Sequence, residues 1–226
     1  MQSLPRREIS LDTPPLPPVL VWTDAMYEAN SAVPARGGFV VVVPGDGAVP
    51  AVTYISSHDT PLDVIDMFVP GKKQYIGQLE LLYAVAPYTS MPHVFKNRQV
   101  IHFIDNTSAC AALVKGYSRA IDSGLIVNAF HAFNVGVRAD VFFEYVRSEA
   151  NPADLPSRDA PEELGSLLVR MGAAQVVIDV KCRLPTFESW EAPVSDVIDT
   201  ARRATTPSGK HGKRQRVNAG AFAISN

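Results

Sequence analysis

The sequence predicts an α/β fold in which three strands come first in succession and strands alternating with helices follow. Two stretches carry that prediction. Gln99 to Gly116, QVIHFIDNTSACAALVKG, changes from a β-branched and aromatic strand pattern to a helical one at the point where Asp105 sits. Between Val19 and Ser57, three apolar runs are separated by loops rich in Gly and Pro with nothing helical among them, which suggests an antiparallel meander. Acids recur where these elements end, and in an open α/β sheet the carboxyl ends of the strands are where ligands bind.

The first eighteen residues hold LDTPPLPP, whose prolines exclude helix and favour an extended linker, so the fold is expected to begin after Pro18. Val19 to Asp24 (VLVWTD) reads as a short buried strand ending in an acid. Gly37 and Gly38 open FVVVV, a second strand closed by Pro44, Gly45, Asp46 and Gly47, and AVTYISS from Ala51 supplies the third. His58 to Lys73 carries Pro61, Pro70 and Gly71 and reads as an insertion or a strand-to-helix connection with room for one short helical turn.

From Gln74 the pattern is helical, with Ile76, Leu79, Tyr83 and Ala86 on one face and Glu80 beside that face near the start. A glutamate there is accounted for equally by solvation or by the helix dipole. Val100 to Ile104 is a buried strand that leaves Asp105 at its exit. An Asp-Asn pair at that point also suits a plain turn, since both side chains bond the local backbone. The helix that follows runs to Lys115 with Thr107 or Ser108 as its expected cap. A second helix spans about Arg119 to Arg138, weakened around Gly124 and Gly136, and DVFFEYVR from Asp140 alternates like an edge or partly exposed strand. Asp154 then falls in a short helical turn that follows Pro152, with Asn151 as its cap.

Composition sets the remaining bounds. The chain has 226 residues, 46% of them apolar, enough to bury a full core. The expected plan is a linker over 1–18, one domain over 19–170, a C-terminal extension over 171–200 and a basic, disordered tail over 201–226. Neither a membrane-spanning apolar run nor a signal segment is evident, which predicts an intracellular protein of cytoplasm or nucleus. Cys110 and Cys182 are read as reduced thiols. Of the 21 basic residues, six lie after Ala201, leaving 15 against all 23 acids and a charge of −8 on the body. An acidic body does not attract phosphate, so a nucleic-acid function requires divalent cations or the basic tail to supply the attraction.

Four motifs together resemble a known family. VWTDA on the first strand, QLELLYAV on the first long helix, HFIDNTSACAALVKG and NPADLPSR are similar to the ribonuclease H region of reverse-transcribing elements, DIRS-type and related. The likeness covers Val19 to about Arg158. It implies a ribonuclease H-like fold, a mixed five-stranded sheet of three antiparallel strands followed by two strands joined by helices, with helices on both faces. It also implies an endonuclease that hydrolyses the RNA strand of RNA–DNA hybrids and leaves a 5′-phosphate and a 3′-hydroxyl. The partners it implies are the hybrid and an upstream reverse-transcriptase domain.

By resemblance Asp24, Glu80, Asp105 and Asp154 are the catalytic and metal-holding acids. Gathered carboxylates raise one another's pKa and call for cations between them. Two Mg²⁺ ions, or Mn²⁺ in their place, about 3.5 to 4 Å apart would neutralise the group and serve an in-line displacement. Asp24 would bridge both, Asp154 would hold the ion that activates water, and Glu80 with Asp105 the ion at the leaving group. Asn106, Ser157 and Arg158 are the expected substrate contacts, since amides and hydroxyls read a 2′-OH and an Arg clamps phosphate. The sequence departs from the family in three ways: a long interval from Asp24 to Glu80, a short one from Asp105 to Asp154 without a basic extension, and no matching histidine near the fourth acid. His102, within a strand, and His131, within a helix, are expected to serve packing. A catalytically idle module that binds or tethers nucleic acid, and an interaction domain whose acids serve only as caps and turns, are the alternatives.

The tail yields a direct test. If its basic residues make about four phosphate contacts, a chain ending at Thr200 should show a salt dependence of hybrid affinity flatter by roughly three to four units of log K per log salt. Equal slopes for the two chains would show that the tail does not bind phosphate.

Overall fold

A computed structural model describes residues 16–46, 48–69 and 75–185. The expected tail, most of the expected linker and the end of the 58–73 insertion therefore lie outside the described residues. Six strands form one mixed sheet in the order β5-β4-β1-β2-β3-β6. The first three, β1 (Val19–Tyr27), β2 (Ala35–Val43) and β3 (Val52–Asp59), are the antiparallel meander that the turn chemistry predicts. β4 (Gln99–Ile104) joins β1 in parallel, and β5 (Asp140–Tyr145) joins β4 in parallel at the edge.

β6 (Val176–Asp179) was not anticipated and adds a parallel edge strand beside β3. The sheet is thus six-stranded rather than five-stranded, and it reaches into the span expected to be an extension. Four residues with three of them exposed, Val177, Ile178 and Asp179, leave little pattern to read. Side chains on β3 fix its place: the Thr53 hydroxyl donates to the Ala173 carbonyl and the Ser56 hydroxyl to the Val180 carbonyl, at 2.5 and 2.7 Å.

Helices cover both faces. On one, α2 (Ile76–Ser90), α4 (Thr107–Lys115) and α5 (Ile121–Val137) enclose the main core, which contains Val21, Phe39, Leu82, Ile104, Leu113 and Phe130. On the other, a smaller core of Trp22, Val40, Val42, Leu164 and Leu168 lies under the turn α6 (Asp154–Ser157) and α7 (Pro161–Arg170). Two short helices complete the fold. α1 (Leu62–Asp66) is the single turn allowed for in the insertion, and α3 (Pro92–Phe95) follows α2.

Several local expectations change. α2 is not a one-faced helix: every residue from Gln78 to Tyr88 is buried, because sheet, α4 and α5 enclose it. The cap of α4 is Asn106, whose Oδ1 accepts from the N–H groups of Ser108 and Ala109 at 3.1 and 3.0 Å; Thr107 and Ser108 lie already inside the helix. α5 runs unbroken through Gly124 and Gly136. β1 continues past Asp24 to Tyr27, and β2 begins at Ala35, so both glycines stand inside a strand.

Those glycines govern how the layers meet. A Cβ on Gly37 would lie 2.3 Å from the Tyr83 ring of α2, and one on Gly38 would lie 2.7 Å from Pro156 of α6 and 2.8 Å from the Ser56 carbonyl. Adjacent residues point to opposite faces, so the pair admits α2 on one side and α6 on the other. Tyr83 cannot swing aside. It is fully buried, its hydroxyl donates to the His58 carbonyl at 2.7 Å, and the Thr60 hydroxyl is 2.9 Å away.

Gly37→Ala should accordingly cost about 2 to 3 kcal/mol through overpacking. Urea denaturation should show a lower midpoint at an unchanged m-value. An unchanged midpoint would mean that α2 shifts freely on the sheet.

Candidate metal centre

Three of the four predicted acids converge where β4 ends and β1 runs on. Asp24 lies on β1 one residue beyond the last pair with β4, Thr23 with Ile104, and Asp105 is the first residue after β4. Glu80 comes from the first turns of α2. One carboxylate oxygen from each of Asp24, Glu80 and Asp105 lies within 4.8 Å of the others. Asp154, on the first turn of α6, lines the same cleft but stands outside that group. Its carboxylate pairs with Arg158 one turn along at 2.8 Å.

The elements that deliver these acids are fixed by polar ties. The Asn151 amide donates to the Thr23 carbonyl at 3.0 Å while its Oδ1 accepts from the Ala153 N–H at 3.1 Å; Asn151 is thus not the cap of α6, which starts from Ala153 without a side-chain cap bond, but closes the turn before it and fastens that turn to β1. The Ser57 hydroxyl donates to the Pro156 carbonyl at 2.7 Å. Behind Asp24, His102 bridges the Thr23 and Tyr88 hydroxyls at 3.0 and 3.1 Å, joining β1, β4 and α2. Burial drives its pKa down to about 3, so the imidazole is neutral and structural. His131 likewise serves packing, with Nε2 2.8 Å from the Leu113 carbonyl.

The cluster carries an electrostatic penalty. Burial, with the Asp105 and Asp154 charges added, pushes Asp24 up to about 7, against the opposing effects of a Ser157 hydrogen bond and Arg158. Glu80 is held well above the ordinary carboxylate range, first by burial and then by Asp24 and Asp105, although a hydrogen bond from the Ala25 backbone lowers it. Two of the buried acceptors, Glu80 Oε2 and Asp105 Oδ1, have no hydrogen-bond partner. Orphaned buried acceptors are costly, at about 1 to 3 kcal/mol each. An all-oxygen, anionic donor set with unused lone pairs fits a hard divalent cation such as Mg²⁺ or Mn²⁺.

The predicted substrate contacts divide. Arg158 is 67% exposed at the rim of the cleft and is placed to meet an anion. Asn106 also lines the cleft, but its Oδ1 is committed to the α4 cap. Ser157 has no exposed surface, and its hydroxyl donates to Asp24 Oδ2, so it cannot touch a substrate. That expectation is corrected: the NPADLPSR motif marked the residue, but only the docking of α6 onto β1 shows which way the hydroxyl turns. Ser148, from a 3-10 turn over Ser148–Ala150, lines the cleft and was missed, because a serine in a loop carries no signal of its own. The cleft holds about 220 Å³, less than the roughly 300 Å³ of an enclosed ligand pocket. Among the described residues no helix is long and apolar enough to cross a membrane.

No protein-family model matches the chain, and no curated protein matches it. Solved structures similar to it include two ribonuclease H proteins. The N-terminal RNase H domain of a Mycobacterium tuberculosis protein, solved as a fusion with maltose-binding protein, aligns at a TM-score of 0.45 and 14% identity over 66% of this chain and 96% of that one. RNase H1 from the halophilic archaeon Halobacterium salinarum aligns at 0.45 and 15% identity over 64% of this chain and 98% of that one.

The raised acids give stability a sign with pH. Between the ordinary value of 3.8 and about 7 the folded state keeps a proton on Asp24 that the unfolded chain releases. The contribution of Asp24 to the stability of the metal-free protein should thus be full below the lower value and be lost as pH rises through the upper one, on the order of 4 kcal/mol. Glu80 acts in the same direction. Denaturation in EDTA across that window should show the decline, and Asp24→Asn should flatten it; an equally steep decline in the variant would show that Asp24 contributes nothing.

Proposed function

We propose that the protein is a metal-dependent endonuclease that hydrolyses the RNA strand of RNA–DNA hybrids, and that it serves a reverse-transcribing element, with a reverse-transcriptase domain as its upstream partner. The observation that carries the reading is the convergence of Asp24, Glu80 and Asp105 on one cleft with two carboxylate oxygens unpartnered. The four-motif resemblance supports it, because the same acids are the ones that the family uses. Coincident caps and turns would have no reason to place three carboxylates so close.

In this reading Asp24, Glu80 and Asp105 hold the cation site and Asp154 completes it from α6. Divalent cations bound there supply an activated water and neutralise charge on the leaving oxygen of an in-line phosphodiester displacement. The acids themselves bind and orient. Glu80, held well above the ordinary carboxylate range, and Asp24, raised to about 7, release the protons they carry as cations arrive. Arg158 exchanges its ion pair with Asp154 for a substrate phosphate, which frees the fourth carboxylate for the site. Asn106 offers its amide nitrogen toward a 2′-OH from the rim. The body, at −8, repels phosphate elsewhere, so cations and the basic tail supply the attraction.

The Arg158 ion pair also favours a second reading, a catalytically idle module that binds or tethers nucleic acid, since it occupies one of the four acids. One assay separates the two. On a labelled hybrid, wild-type protein should cut the RNA strand with Mg²⁺ or Mn²⁺ and stop with EDTA. Asp105→Asn should lower kcat on the order of a thousand-fold, about 4 kcal/mol of barrier, while hybrid binding persists. A hybrid bound yet intact across both metal titrations would overturn the nuclease in favour of the tether.

A further inference from the structure

Ser157 is fully buried on the turn that also carries Asp154, and its hydroxyl donates to Asp24 Oδ2. The hydroxyl has another acceptor within reach, the Asp154 carbonyl three residues back at 2.9 Å. A serine in a helical turn commonly satisfies itself on such a carbonyl, so Ser157 had no need of Asp24. With a single proton to give, the hydroxyl favours the anionic acceptor, and charge-assisted bonds of this kind are the stronger ones. The turn around it is clamped on three sides: Asn151 on the Thr23 carbonyl, Ser57 on the Pro156 carbonyl, and Pro156 against Gly38. Gly38 is itself the β2 residue paired with Asp24. The hydroxyl is thus presented to Asp24 from a rigid mount.

We infer that Ser157 is a positioning residue, whose buried hydroxyl fixes the Asp24 carboxylate in the orientation that lets Asp24, Glu80 and Asp105 share a divalent cation. This rests on the metal-dependent reading of the site. Ser157 touches neither cation nor substrate. It acts by holding Asp24 Oδ2, so that the carboxylate plane is set before a cation arrives rather than ordered by it. Partners that orient a metal ligand from behind are typically worth 10- to 100-fold in metal affinity.

The test uses the full chain and Mn²⁺ alone, with free Mn²⁺ followed by its electron paramagnetic resonance signal at fixed pH. Ser157→Ala should raise the Mn²⁺ dissociation constant about ten-fold. Ser157→Cys, which keeps the volume and a weaker donor, should fall between. Melting curves in EDTA establish that both variants fold. In hybrid cleavage, the rate lost by Ser157→Ala should be recovered by raising Mn²⁺ by the same factor, which a loss of packing alone would not allow. Equal Mn²⁺ affinity in wild type and Ser157→Ala would overturn the inference and leave the nuclease reading standing. Mn²⁺ binding that depends on Ser157 without any hybrid cleavage would do the reverse, and a wild-type chain that binds no Mn²⁺ would overturn both.

Discussion

The absence of a side chain at Gly38 is the constraint on which the site depends. Gly38 pairs with Asp24 across β1 and β2, and Pro156 occupies the space that a Cβ would need. That contact seats α6 directly over the strand bearing Asp24, which brings the Ser157 hydroxyl to one of its oxygens and Asp154 to the rim of the same cleft. Gly37 does the same for the opposite face, where Tyr83 lies on the backbone and α2 comes close enough for Glu80 to reach Asp24. One residue of each kind on each face would hold both layers away from the sheet. The acids are therefore a consequence of close packing in the middle of β2, several residues from any of them in sequence.

Close packing has an electrostatic consequence. Carboxylates brought together under low exposure resist ionisation, as the raised values of Asp24 and Glu80 show. The fold opposes this with polar groups aimed at the cluster: the Ser157 hydroxyl and Ala25 backbone bonds and the Arg158 guanidinium. They offset it only in part, since Glu80 Oε2 and Asp105 Oδ1 are left without partners. A rigid frame is what keeps such a group from relaxing apart. α2 is enclosed over eleven consecutive residues, and the neutral His102 ties its far end to β1 and β4. Stability is given up locally where the three carboxylates meet, an arrangement common at functional centres.

The sequence by itself determined the elements and their chemistry. Period-two and apolar patterns located β1 to β5, and the strand-to-helix switch at Asp105 located one acid at a strand exit. Those signals are local: they depend on φ/ψ preferences and hydrogen bonds within a few residues, which the chain carries wherever it folds. Glu80 and Asp154 were ambiguous for the same reason, because a glutamate on a helix or an aspartate in a turn looks alike whether it faces water or a cluster, and only motif resemblance singled them out.

Tertiary structure decided what lies against what. The enclosure of α2 on all sides, the reversal of Ser157 from substrate contact to buried donor, the choice of Asn106 over Thr107 or Ser108 as cap, and the sixth strand at Val176–Asp179 all depend on partners distant in the chain. So does the meaning of Gly37 and Gly38. In sequence they read as punctuation before a strand; in the fold their missing side chains are the space that two helices occupy. A pattern along the chain records what each residue prefers, whereas contact distance, burial and the sign of a charge's environment exist only once the layers have closed.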